Sequence, residues 1–99
     1  MARFTTRVVL HDANWLHYGQ LYPEMAKYGF TDEIVGDDGR VYKMPPGEYD
    51  VLTDFTAIEV RTWARAAADA TGCKNAVFVT EAGLRAWVGL DPIRVQAAA

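Results

Sequence analysis

Serine is absent from this chain of 99 residues, which removes serine-based nucleophilic catalysis outright. A single cysteine, Cys73, leaves no internal disulfide and no cysteine-built zinc site. It follows the glycine that closes a predicted helix, where the helix dipole disfavours a thiolate, so it reads as inert. No apolar run approaches the ~18 residues of a membrane span, and the opening MARFTTRVVLHD lacks the plan of a signal peptide. A cytoplasmic protein with no membrane partner is expected. Basic excess is missing as well. With a net charge of −3 and a pI near 5.2, broad attraction to nucleic acid is not expected, although a local patch can still meet phosphates. No HExxH or comparable metal-ligand spacing occurs, and VYKMPPGEY lacks the Gly-aromatic-x-aromatic core of RNA-recognition motifs. There is no linker, internal repeat or low-complexity region.

What is present suits one small domain over residues 1–99, because 51% hydrophobic residues supply one core and exclude a disordered chain. The stretch around Asp38-Gly39 organises the rest. It separates the strand-forming pairs Ile34-Val35 and Val41-Tyr42, and glycine carries the positive φ that a tight hairpin needs. Pro45-Pro46-Gly47 interrupts the return strand, since proline cannot donate to a ladder; a bulge, bend or edge excursion is expected there, with pairing resumed over Glu48 to Thr53.

Before the hairpin, Phe4, Thr6, Val8 and Leu10 alternate with Arg3, Thr5, Arg7, Val9 and His11, which predicts a strand with one buried face. Asp12 is placed to cap a helix from about Ala13 to Tyr28 with an apolar stripe of Trp15, Tyr18, Tyr22 and Met25. Gly29 supplies a left-handed stop with Phe30 folding back on Met25, and Pro23 is expected to kink the helix or to start a second segment. After the hairpin, Thr56-Ala57-Ile58-Glu59 is a capping box, followed by a core stripe of Val60, Trp63, Ala64, Ala67 and Thr71 and closed by Gly72. NAVFVT, Asn75 to Thr80, is a strand. EAGLRAWVGL fits helical and strand spacing equally, Asp91-Pro92 breaks it, and residues 91–99 read as a frayed tail. The order β-α-β-β-α-β predicts a ferredoxin-like α+β sandwich: a four-stranded antiparallel sheet, two helices on one face, and the first and third strands at its centre.

Chemistry concentrates where the first strand ends. A carboxylate at Asp12 is suited to hold a divalent metal, and an imidazole at His11 is suited to proton transfer near neutral pH. The structural alternative is that Asp12 is only a helix cap and His11 an exposed strand end. Arg3 and Arg7 on the open strand face, and Arg61 and Arg65 on one flank of the second helix, are candidates for an RNA backbone or plain solvated charges. Trp15, Tyr18, Tyr22 and Trp63 read as core rather than as base-stacking platforms. Asp32, Glu33, Asp37, Asp38, Glu48, Asp50 and Asp54 gather around the hairpin, either as a solvated rim or as a surface for a basic protein partner, with Asp37, Asp38 and Asp50 as its contacts.

The opening RVVLHD, the aromatic-bearing helix ending KYGF, the hairpin IVGDDGRVYKMP, the return strand EYDVLTD, the capped helix from Thr56 and VFVTEAG together resemble the GhoS-type antitoxin family of type V toxin–antitoxin systems. The resemblance covers nearly the whole chain. It implies a ferredoxin-like fold and an endoribonuclease that cuts the message of a small membrane toxin. The fold is also similar to the small nuclease subunit of CRISPR adaptation, in which an Asp at the end of the first strand binds metal; the matching position is Asp12. That likeness implies a homodimer with two such carboxylates facing each other, and a divalent metal, magnesium, as a possible cofactor. Under this reading Asp12 and His11 are catalytic, and Arg7 neutralises phosphate. The reading from another class is a non-enzymatic module that captures a protein through its acidic hairpin and strand edges, as a toxin-neutralising or phage-borne inhibitor.

Overall fold

Two strand layers meet at a proline corner in the computed structural model, which describes residues 1–95. In chain order the elements are β1 (Ala2–Leu10), α1 (Trp15–Ala26), β2 (Glu33–Val35), β3 (Arg40–Lys43), β4 (Glu48–Thr53), α2 (Ala57–Asp69), β5 (Asn75–Glu81) and β6 (Pro92–Val95). One antiparallel sheet runs β4-β1-β5 and a second runs β2-β3-β6, giving an α+β protein. No helix among the described residues is long and apolar enough to cross a membrane.

The expected single four-stranded sheet is not what forms. The segment from Arg40 to Thr53 is two strands, because Pro45 and Pro46 offer no N–H and Gly47 takes φ +81°. Glu48 N–H closes the turn on the Pro45 carbonyl at 3.0 Å, and Val8 N–H in β1 takes the Gly47 carbonyl at 2.7 Å. This corner turns the chain out of one sheet and into the other. Among the described residues an isolated bridge between Thr31 and Asp50 ties the β2 arm to β4. The hairpin itself forms as the Asp-Gly signal predicts, with Val35 opposite Val41 and Gly39 at φ +76°.

The C-terminal expectation also changes. Pro92–Val95, read as the start of a frayed tail, pairs with β3 as Arg40↔Val95 and Val41↔Arg94; residues 96–99 of that tail lie outside the described residues. Of Glu81 to Leu90, left open between helix and strand, Glu81 closes β5 and the rest, continuing to Asp91, is neither. It is an irregular crossing from one sheet to the other, anchored by Ala82 N–H on the Arg3 carbonyl (2.8 Å) and by the Asp91 carbonyl under Lys43 N–H (3.0 Å).

The alternation in β1 is realised: Phe4, Thr6, Val8 and Leu10 are buried, and Arg3, Thr5, Arg7 and Val9 face the other way. On the inner face they meet Tyr49 and Val51 of β4, Leu21 and Met25 of α1, and Val60, Ala64, Ala67 and Ala68 of α2. Each large apolar side chain sealed there contributes about 1.5–3 kcal/mol. α2 starts on the predicted Thr56–Glu59 capping box, with mutual bonds of 3.2 and 3.1 Å. α1 ends on the predicted stop, where Phe30 N–H reaches the Met25 carbonyl across Gly29.

Three details of α1 differ from expectation. Its cap is Asn14, not Asp12. The Asn14 oxygen accepts from Leu16 and His17 N–H, and the His17 ring nitrogen accepts from Asn14 N–H at 3.1 Å. Asp12 instead takes the left-handed conformation, φ 53°, in the turn before the helix. The helix runs on through Pro23, because Gly19 and Pro23 lie on its exposed side, where solvent can serve the freed carbonyl. The buried stripe is Leu21 and Met25 with Tyr18 half-buried; Trp15 and Tyr22, read as core, are 79% and 43% exposed.

Candidate functional site

β1 carries candidate chemistry along its whole length, and its last hydrogen bond positions the histidine. His11 N–H donates to the Lys74 carbonyl at 2.7 Å, prolonging the β1–β5 ladder by one residue. The imidazole thus lines a shallow cleft with Arg65, Lys74 and Cys73. Asp12 does not line it; this residue sits exposed in the left-handed turn that follows His11. His17 is occupied by the helix cap. Among the described residues no three His, Cys, Asp or Glu side chains converge, so a metal on Asp12 would draw its other donors from substrate, water or a second chain. Lys74 joins the group without having been singled out in the sequence, since its place depends on the β5 register.

Further along the open face, Arg7 lies in register between Phe78 of β5 and Glu48 of β4. Phe78 is 70% exposed, and Arg7 makes no ion pair among the described residues. A guanidinium beside an uncovered aromatic ring is the pairing that takes a phosphate and a stacked base. Phe78 was not recognised as a surface residue because NAVFVT is apolar at both parities. Its alternation, with Asn75 buried and Ala76, Phe78 and Thr80 outward, becomes readable only against β1.

At the other end of β1, Asp50 is 1% exposed although it belongs to the outward parity opposite Thr5. The crossing from Ala82 to Asp91 covers it. Arg85 Nη1 donates to one Asp50 oxygen at 3.0 Å and to the Thr5 hydroxyl at 3.3 Å, while Arg3 Nη1 donates to the other oxygen at 2.6 Å. Asp50 was expected on an acidic partner surface; it is buried between two arginines and belongs to no such surface. Next to it Arg94 of β6 grips Glu33 through both terminal nitrogens, at 2.7 and 3.1 Å, and that bond holds the Glu33 carboxyl below its usual value. Arg3, Arg85 and Arg94 together line a cleft of about 700 Å³ whose apolar side includes Ile34 and Val41. Arg85 and Arg94 were not anticipated, lying in the ambiguous stretch and in the supposed tail.

The remaining candidates are dispersed. Asp37 and Asp38 are exposed at the hairpin turn, where the Tyr42 hydroxyl and Arg40 N–H hold the Asp38 carboxyl below its ordinary value and the Tyr42 phenol is raised in return. Asp37, Asp38, Leu84 and Trp87 border one cleft. Arg61 stands free on α2 among the described residues, whereas Arg65 pairs with Asp69 at 3.3 Å. No family model, curated protein or solved structure matches this chain.

Proposed function

We propose that the chain is an antitoxin-like protein that binds single-stranded RNA across the open face of the β4-β1-β5 sheet and cleaves it at the end of β1. The observation that carries this reading is the in-register pair of Arg7 and exposed Phe78, followed along the same strand by His11. The order β5-β1-β4, with the β2 arm bridged to β4 at Thr31 and Asp50, supports a ferredoxin-like sandwich whose fourth strand has been drawn into a second sheet. Cytoplasmic placement and pairing with a second copy belong to the same proposal.

In this mechanism His11 takes the proton of an RNA 2′-hydroxyl, whose oxygen attacks the adjacent phosphorus. The 5′-oxygen leaves with a proton from water, giving a cyclic phosphate and a free 5′-hydroxyl. Arg65 and Lys74, which share the His11 cleft, stabilise the charge that grows on the phosphoryl oxygens. Asp12 orients the imidazole or the water; it would hold a magnesium ion, which would supply positive charge to the phosphoryl oxygens. The test is a panel of single-stranded RNAs incubated with purified protein, with magnesium or manganese and with EDTA. His11→Ala and Asp12→Ala, purified identically, are expected to abolish cleavage; activity unchanged in both would overturn these roles.

A second reading has its own support. The cleft that joins Asp37 and Asp38 to Leu84 and Trp87 offers acid and apolar surface together, suited to a basic protein segment. Leu84, which lines it, is fully uncovered. Intact RNA in every lane, together with partner capture lost in Asp37→Lys and Asp38→Lys, would favour this module over the enzyme.

A further inference from the structure

We propose that the cleft between Arg3, Arg85 and Arg94 is a binding site for a phosphate monoester. It is distinct from the His11 end of the sheet. Arg3 and His11 are eight positions apart on an extended strand, about 26 Å at ~3.3 Å per residue.

Three features carry the assignment. The first is local sign: three guanidiniums face two carboxylates, Asp50 and Glu33, so this cleft is positive in a chain whose net charge is −3. The second is surplus donors. Each guanidinium carries about five N–H groups, and among the described residues the three together make five hydrogen bonds within the cleft, to Asp50, Thr5 and Glu33. A phosphate monoester presents three charged acceptor oxygens, against two on an internal phosphodiester, and so suits three converging forks better. The third is preorganisation. Asp50 is buried and holds Arg3 and Arg85 by separate oxygens, while Glu33 holds Arg94 by both of its own. Little side-chain entropy remains to be lost when an anion arrives. Ile34 and Val41 give the cleft an apolar wall, and its volume of about 700 Å³ admits a nucleotide-sized group. The monoester therefore belongs either to a free nucleotide or to a phosphorylated RNA end.

The inference does not depend on RNA cleavage, and its test is a binding measurement. Inorganic phosphate is titrated into the full chain at constant ionic strength while the arginine Nε–H resonances are followed by NMR. Saturable shifts at Arg3, Arg85 and Arg94 are expected, with no matching shift at Arg61. Arg94→Gln should weaken binding about tenfold or more, the loss of one charge-assisted contact. Glu33→Gln should tighten it several-fold, since it frees Arg94 and removes a negative charge. Neither substitution touches the Asp50 pairs, and an unchanged dispersed amide spectrum of each variant is the check that folding is retained. Adenosine monophosphate and a pair of oligoribonucleotides with and without a 5′-phosphate then distinguish the two sources. No saturable shift with phosphate, or binding indifferent to both substitutions, would overturn the assignment and leave the arginines as structural ion pairs, Arg3 and Arg85 on Asp50 and Arg94 on Glu33.

Discussion

Replacing Gly47 by alanine tests the account of the proline corner. Gly47 has φ +81°, and a Cβ built there lies 2.5 Å from the Val8 carbonyl oxygen. That oxygen belongs to the backbone of the central strand, so it cannot swing aside as a side chain would. Alanine in the left-handed region costs about 1–2 kcal/mol by itself. Relieving the clash also moves the Gly47 carbonyl off Val8 N–H, and leaving that donor unpaired costs about 1–3 kcal/mol. The sum is about 2–5 kcal/mol, a large share of the ~5–15 kcal/mol stability of a small domain. Gly39 provides the control, because its φ of +76° is nearly the same and its Cβ would meet nothing within 4 Å. Gly39→Ala should therefore cost only about 1–2 kcal/mol. Urea unfolding of both variants, followed by tryptophan fluorescence at low temperature, measures the difference. A gap of about 2 kcal/mol is expected, or roughly 8–16 °C between the two melting midpoints. Equal losses would mean that the corner yields, and that it does not set the angle between the sheets.

Other substitutions probe separate layers. Asp50→Ala, which strands two partly buried guanidiniums, should cost about 3 kcal/mol, against about 1 kcal/mol for Arg3→Ala, where Arg85 still neutralises Asp50. Urea midpoints decide this, and equal costs would refute the shared pairing. Burial raises the Tyr49 phenol well above its usual value of 10.0. A raised value in the folded state means that its contribution is whole below pH 10 and is lost as pH rises beyond it. Tyr49→Phe should thus flatten the alkaline side of the stability–pH curve while changing stability little at neutral pH. Phe78→Ala and Arg7→Ala should each weaken single-stranded RNA binding about tenfold in fluorescence anisotropy without lowering the melting temperature, since stacking is worth about 1–3 kcal/mol per base.

Where a local rule was sufficient, the sequence was legible. Thr56–Glu59, Gly29 with Phe30, Asp38-Gly39 and the alternation of β1 all act within a few residues, and each stands as read. Errors came where a choice depended on distant pairing. Trp15 and Tyr22 satisfy helical spacing as well as Leu21 and Met25 do, and only the position of α2 decides which flank is covered. Asn14 outcompetes Asp12 as a cap because His17, three residues on, answers it. Asp50 has the polarity of a surface residue, and nothing in its neighbourhood announces that Arg85, 35 positions away, will lie over it. The strand Pro92–Val95 escaped notice because a proline opens it and only the β3 edge gives it a partner.

The same pairing has a consequence for how the molecule comes off the ribosome. β1 precedes both of its partners yet occupies the middle of its sheet, so one flank waits for residues 48–53 and the other for residues 75–81. β3 is completed last, its second edge remaining bare until residues 92–95 have emerged. During synthesis the nascent chain carries two uncovered strand edges, a hazard for pairing with neighbouring chains. Closing these long loops late places the chain among slow folders for its size. The Asp-Gly hairpin and the self-capped α2 are the parts able to organise before that wait ends.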